Sequence, residues 1–215
     1  LYLASEIKQI KTAPGYSLSL NEKAIYQYLA NSAVDHTDAT FDTQIKHLPQ
    51  GHYLHLKLAD PANTYQIKQW YELKPQKWQG SYEEAAVRLR ELLTDAVNVR
   101  LRSDVPVGSC LSGGLDSSSI VCLVAQLLKD RGETAGQETV TACYEQAKYD
   151  EWKFAQEVIK QTNATSHRTF PKFNDLFEQA DQFIWHQDEP NGSTSQFSQW
   201  AVFKASHDAG LKVMV

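Results

Sequence analysis

Cysteine is scarce in this sequence, and what there is does not pair. Cys110, Cys122 and Cys143 form no CxxC and all fall in apolar stretches. That pattern excludes a disulfide framework or a thiolate metal knuckle and leaves reduced, buried thiols, as in a cytoplasmic protein. Long apolar runs are missing too. None reaches the length of a membrane span and no signal peptide opens the chain, so no membrane role is expected. Without an export signal, the glycosylation patterns at Asn163 and Asn191 mean little. Excess positive charge is also absent. The net charge is −5 and the pI about 5.8, which removes the electrostatic footprint of a nucleic-acid binder. The seven histidines show no metal-ligand spacing; His52 and His55 would face opposite sides of a strand. What is present, 215 residues of which 42% are hydrophobic, suits one sizeable α/β domain with a smaller appendage.

The chain is organised around Val105 to Ile120. Val105, Val107 and Leu111 supply the apolar β-formers of a short buried strand, although Pro106 and Gly108 weaken it. From Asp116 to Lys129, Ile120, Val121, Leu123, Val124, Leu127 and Leu128 recur at helical spacing. Between strand and helix lies Ser112-Gly113-Gly114, where missing side chains let the backbone turn sharply and approach a ligand. Free N–H groups at a helix start, added to its positive dipole end, make an anion seat. Ser112, Ser117 and Ser118 offer hydroxyls to the same place. The stretch reads as a phosphate cradle.

It is an unusual cradle. No GxxxxGKS/T is present, so no lysine reaches a terminal phosphate, and no GxGxxG supports a dinucleotide. An acid, Asp116, sits at the mouth instead. Beside bare phosphate it would repel, and it makes sense with a Mg²⁺ between them. The competing reading has Asp116 merely capping the helix and the glycines merely turning the chain; for one aspartate that reading wins, for the whole run it does not.

Leu111-Ser112-Gly113-Gly114-Leu115-Asp116-Ser117-Ser118 resembles the SGGLDSS pyrophosphate loop of the N-type ATP pyrophosphatases, the PP-loop superfamily. With Asp104 to Gly108 ahead of it, it is similar to the glutamine-hydrolysing asparagine synthetase family in particular. The resemblance implies an α/β fold: a mostly parallel sheet flanked by helices, preceded by a small hairpin and helix region. It implies ATP and Mg²⁺ as bound species. Leu111, Ser112, Gly113, Gly114, Ser117 and Ser118 would hold ATP and its pyrophosphate, and Asp116 the metal. Aspartate would be the acyl substrate, activated as β-aspartyl-AMP, with ammonia supplied by a glutaminase domain. A β-lactam synthetase or lasso-peptide cyclase type of relative, or a non-catalytic nucleotide-binding fragment, remains as alternative; an RNA-modifying relative would want a basic face. The oligomeric state stays open, a homodimer included.

Taken in order, Leu1 to Ala4 reads as a strand fragment and Ser5 to Lys8 as a helix start. Leu3 to Lys8 resembles the end of the family's glutaminase domain, so residues 1–20 are expected as its remnant. That domain's nucleophile is an N-terminal cysteine and position 1 is Leu1, so no glutamine hydrolysis is expected here. Residues 21–80 are expected as a connection: a helix from Asn21 to Asn31, then a hairpin of Tyr53 to Leu58 and Thr64 to Trp70 about a turn at Asp60 to Asn63. The Leu48-Pro49-Gln50-Gly51-His52 segment and the Trp70-Tyr71 pair read as structural.

Ser81-Tyr82-Glu83-Glu84 is a capping box opening a long helix, and the synthetase domain is expected over 81–215. Its arginines read as a solvated face. Glu138 to Tyr144 reads as the second parallel strand, whose tip places Tyr144 to meet adenine; an edge-packing aromatic is as good a reading of that side chain. Asp150 and Glu151 precede a helix and suit its N-terminal dipole. Thr165 to Phe170 is a third strand and Phe173 to Ile184 another helix. His186 to Ser193 holds Asp188 and Glu189, similar to the family's Asp-Glu-Pro element on the substrate side; a cap and a solvated acid explain them equally. Ser195 to Ala209 forms a last helix stopped by Gly210, before the strand Leu211 to Val215. In the family a second glycine- and acid-rich loop and a catalytic lysine follow that strand, so this chain alone is expected to be inactive.

Overall fold

The computed structural model describes residues 1–59, 64–133, 136–146 and 148–215. The expected turn at Asp60 to Asn63 lies outside them, as does part of the exposed loop that the sequence predicts over Lys129 to Gln137. The chain divides into two compact units, Leu1–Lys77 with Ile184–Gly192, and Trp78–Phe183 with Ser193–Val215.

In the first unit, helix α1 is short, Ile7–Ile10. The strand expected at Leu1 to Ala4 does not form; those residues are exposed and pair with no strand among the described residues. Helix α2, Glu22–Asn31, is capped as expected, with the Asn21 side chain accepting from the Ala24 N–H at 3.2 Å. Strands β1, His52–Leu56, and β2, Tyr65–Gln69, pair antiparallel with Leu54 opposite Ile67. Leu54 and Leu56 are half-buried between exposed neighbours, the period-2 signature. Leu58 lies beyond the strand, 91% exposed, and leaves the alternation. Gly51, at φ +68, stitches the segment to the end of β2: its carbonyl accepts from the N–H groups of both Trp70 (2.9 Å) and Tyr71 (3.2 Å).

The second unit opens with α3, Tyr82–Arg100, whose capping box between Ser81 and Glu84 is complete in both directions. Then β3, Val107–Cys110, α4, Leu115–Asp130, β4, Glu138–Ala142, α5, Trp152–Thr162, and β5, Thr165–Thr169, alternate. The single helix expected from Phe173 to Ile184 is two, α6, Phe173–Glu178, and α7, Ala180–Gln187, because Gln179 leaves helical geometry at φ −110, ψ 12. Helix α8, Ser195–Asp208, and β6, Val213–Met214, complete the unit. Gly210, at φ +80, ends α8 by a double cap: Leu211 N–H reaches Ser206 O and Gly210 N–H reaches His207 O, both at 2.9 Å.

The sheet runs β5-β4-β3-β6 with every pairing parallel. Two apolar clusters hold it. Leu111, Val121 and Ala155, packed by Trp152, Val158 and Ile159, join the sheet to α4 and α5. Val140, Val202 and Leu211, packed by Cys110, Ala205 and Met214, join it to α8. A sheet covered by helices on two faces and wound outward from one strand is the doubly wound arrangement. Gly108, weak as a strand former, is required by this packing: a Cβ there would sit 2.7 Å from Leu211 Cδ1 and 2.9 Å from Met214 Sδ. Pro106 stays just outside the strand, where its missing N–H breaks no ladder.

Candidate functional site

Strand β3 is central, and the connections leave it in opposite directions: β4 lies on one side and β6 on the other. Its carboxyl end is therefore the crevice of the sheet, and the Ser112 to Ser118 turn follows it directly. Leu111 is buried and fully engaged by β4, its N–H donating to Val140 O (3.0 Å) and its carbonyl accepting from the Thr141 hydroxyl (2.7 Å). This fixes the last residue before the turn.

Gly113 adopts φ +87, and a Cβ would lie 2.8 Å from the Ala155 nitrogen and 2.9 Å from the Glu151 carbonyl oxygen. The turn is thus wedged against the start of α5, and backbone on both sides leaves no room for a side chain. Gly114 is the N-cap of α4 at φ −67, with no side-chain cap. The Ser112 and Ser117 hydroxyls pair at 3.0 Å, Ser117 Oγ accepts from the Ser112 N–H (3.3 Å), and Ser112 Oγ accepts from the Gly114 N–H (3.3 Å). The first helical bond is Ser118 N–H to Gly114 O, 3.0 Å. Among the described residues the N–H groups of Gly113, Leu115, Asp116 and Ser117 have no protein acceptor. The helix dipole adds positive potential at this end.

Asp116 is exposed in the first turn of α4, and its carboxylate has no partner among the described residues. It does not cap the helix; the N-cap is Gly114. Leu115 beside it is 84% exposed. The mouth of the turn is open, with free donors and one free acid.

Tyr144 follows β4 in the same unit. Its N–H donates to Asp150 Oδ1 (3.1 Å) and its hydroxyl to Ser198 Oγ (2.8 Å). Asp150 thus holds Tyr144 in place, and Glu151, the N-cap of α5, makes no side-chain cap. A cavity of about 860 Å³ opens at the carboxyl ends of β4 and β5, lined by Tyr144, Gln146, Lys172, Phe173, Thr194 and Ser198 among others. Apart from Tyr144 these residues were not anticipated; their signal is only that several follow the carboxyl ends of two strands. Burial pushes the Cys110 thiol up, and burial with Asp150 nearby does the same to Cys143. Neither is a thiolate nucleophile near neutral pH.

Asp188 and Glu189 belong to the first unit. Asp188, at φ +64, accepts from the N–H groups of Ile7 and Lys8 and from the Lys8 ammonium, each at 3.0 Å. It caps α1 from a remote part of the chain. Glu189 Oε1 accepts from the Phe41 N–H at 3.0 Å. The structure brings Leu111 to Ser118 and Tyr144 into one unit and commits these two acids to contacts in the other.

No helix among the described residues is long and apolar enough to cross a membrane. The model of the asparagine synthase family matches residues 88–215. The glutamine-hydrolyzing asparagine synthetase 1 of Bacillus subtilis (strain 168) is 26% identical over 190 residues, 88% of this chain and 28% of that protein. Amidase chyE of Penicillium rubens is 28% identical over 82% of this chain, again 28% of its own length. The chain therefore spans less than a third of these relatives. Among solved structures, the NH3-dependent NAD synthetase of Campylobacter jejuni aligns with 62% of this chain and 56% of its own at 16% identity, TM-score 0.37, too loose a likeness to weigh.

Proposed function

The chain belongs to the asparagine synthase family, and from that premise we propose that it is the ATP-binding part of a carboxamide-forming enzyme. In the proposed reaction the side-chain carboxylate of aspartate attacks the α-phosphorus of ATP and pyrophosphate leaves. Ammonia then displaces AMP from the β-aspartyl adenylate. Departure of pyrophosphate concentrates negative charge, and preorganised donors without protein acceptors are the physical means of stabilising it.

The free N–H groups of Gly113, Leu115, Asp116 and Ser117 would take the pyrophosphate, with the hydroxyls of Ser112, Ser117 and Ser118. The reading is carried by one observation: the Asp116 carboxylate stands unpartnered and exposed beside those donors. A lone carboxylate next to an anion seat fits a Mg²⁺ ligand. Magnesium bound there would supply counter-charge to the leaving group. Leu111 would border the nucleotide, and Tyr144, beside the cavity, would border the base. Asp188 and Glu189 enter as anchors of a substrate-side loop.

Residues 1–20 are proposed as the end of a glutaminase domain that supplies the ammonia, 21–80 as its connection, and 81–215 as the start of the synthetase domain of a cytoplasmic protein. Likeness to an amidase over 82% of the chain favours a second reading, in which a different carboxylic acid is activated by the same loop. The test is pyrophosphate release dependent on aspartate, measured for this chain and for a longer protein containing it. Turnover by the longer protein alone is expected. Failure of both overturns the enzyme reading and leaves a nucleotide-binding module.

A further inference from the structure

A second cluster of ligating groups lies in the first unit. Asp35, His47 and Glu189 each present one ligand atom, and these atoms all lie within 4.8 Å of one another. They come from the loop after α2, the segment before Leu48-Pro49, and the Asp-Glu-Pro loop, so no local spacing announces them. We infer that they form a binding site for one divalent transition-metal ion of the zinc class.

The backbone under the cluster is fixed. His47 N–H donates to Asp38 O at 2.8 Å, next to an antiparallel bridge between Ala39 and Lys46. Inside that loop the buried Thr40 hydroxyl joins the carbonyls of Asp42 and Ile45, each at 2.9 Å. Glu189 is oriented by its other oxygen, which accepts from the Phe41 N–H. Such an outer partner sets a metal-binding carboxylate in position.

The side chains meet without closing on one another. His47 Nδ1 is 3.5 Å from Asp35 Oδ1, and Nε2 is 3.7 Å from Glu189 Oε2. The His47 ring makes no hydrogen bond among the described residues. With zinc bonds of about 2.0–2.1 Å, neighbouring ligand atoms of a tetrahedral site stand roughly 3.3–3.4 Å apart. A single ion takes one nitrogen of the His47 ring, and the three ligand atoms stand within 4.8 Å of one another; Asp35, whose side chain is 64% exposed, is free to move in and close the remaining distance. A cavity of about 600 Å³ lined by Asp35, His36, Thr37 and His47, among others, has room for a water in the remaining position. One imidazole with two carboxylates suits zinc or a similar ion; magnesium, which favours oxygen ligands alone, does not match the set. The ion ties residues 35, 47 and 189 together and fastens the Asp-Glu-Pro loop to the amino-terminal segment. This site is independent of the nucleotide reading.

The experiment uses the chain after chelator treatment, titrated with ZnCl2 by calorimetry in excess Mg²⁺. Thermal unfolding is followed in parallel. One ion per chain is expected, with a rise in the unfolding midpoint. Both effects should weaken on the order of tenfold or more in His47→Gln and Glu189→Gln. They should persist in His207→Gln, which removes a histidine of the second unit. The metal-free midpoints of the variants check that they fold. Absence of saturable binding, or equal binding by His47→Gln, overturns the site and leaves a plain ion-pair cluster.

Discussion

The carboxylate of Asp188 and the backbone N–H of Lys8, 180 positions apart, meet at 3.0 Å. The same carboxylate takes the Ile7 N–H and the Lys8 ammonium. Helix α1 is a single turn with no side-chain cap of its own from Glu6, so its free N–H groups are satisfied from a distant loop.

Removing that carboxylate should be costly, because the pair is largely buried, with side-chain exposures of 13% for Lys8 and 12% for Asp188. Asp188→Ala leaves two helix-start donors without their acceptor and the Lys8 ammonium with only the more exposed Glu6, at 3.3 Å, for about 2–3 kcal/mol. Asp188→Asn keeps an acceptor and tolerates φ +64, and should lose about half as much. Trp185 is the reporter, since the Lys8 ammonium lies 4.8 Å from its ring. Urea unfolding followed by tryptophan emission that shows equal stability for Asp188→Ala would refute the cap.

The two glycines of the turn between β3 and α4 should not respond alike. Gly113→Ala puts a Cβ into backbone at 2.8–2.9 Å with φ +87. The cost is about 2–4 kcal/mol, from left-handed strain and from displacing α5. At Gly114 a Cβ meets only Ser112 Oγ, at 3.4 Å, with φ −67. Gly114→Ala should keep the fold within about 1 kcal/mol and, on the proposed pyrophosphate role of this turn, lose nucleotide affinity. Parallel unfolding and ATP-binding curves separate the two effects.

The elements that were legible in advance are those whose signals are local. Asn21, Ser81 and Gly210 cap or stop their helices through neighbours within a few residues. The Val105 to Ile120 run gives strand, turn and helix by its own periodicity. The break at Gln179 was hidden because apolar residues continue at helical spacing across it. Asp188 and Glu189 were hard to place for a different reason: their partners, Lys8 and Phe41, are 180 and 148 positions away, and no periodicity carries that information. The metal-type cluster at Asp35, His47 and Glu189 was invisible for the same reason.

Tyr16 and Asp42 set a pH dependence in the first unit. The Tyr16 hydroxyl donates to the Asp42 carboxylate, and that bond, with burial, pushes the phenol up to about 12. Burial raises Asp42, and hydrogen bonds from Tyr16 and from the Gln44 and Ser19 backbone outweigh it, holding the carboxyl below its usual range. The raised phenol stabilises the fold fully below the unfolded tyrosine value of about 10 and loses that contribution as pH climbs toward 12. The depressed carboxyl contributes above the unfolded aspartate value of about 4 and fades as pH falls below it. Tyr16→Phe should therefore cost about 1 kcal/mol near neutral pH. Its deficit against the parent should shrink at both extremes. A deficit that stays constant from pH 3 to 12 would break the link.

The magnesium role proposed for Asp116 predicts a separation of binding from stability. Its carboxylate touches no partner among the described residues and is exposed, so Asp116→Asn removes no contact of the fold. It removes only a modest helix-dipole interaction, a few tenths of a kcal/mol. The unfolding midpoint should hold within that margin. Affinity for ATP with Mg²⁺ should fall on the order of tenfold, the loss of about 1.4 kcal/mol expected for one charged ligand in an open site. Affinity for ATP in chelator should stay level or rise, because the substitution also removes a negative charge beside the phosphates. Calorimetry under both conditions gives opposite signs if Asp116 works through the metal. Equal losses in both would mean that it meets the nucleotide directly.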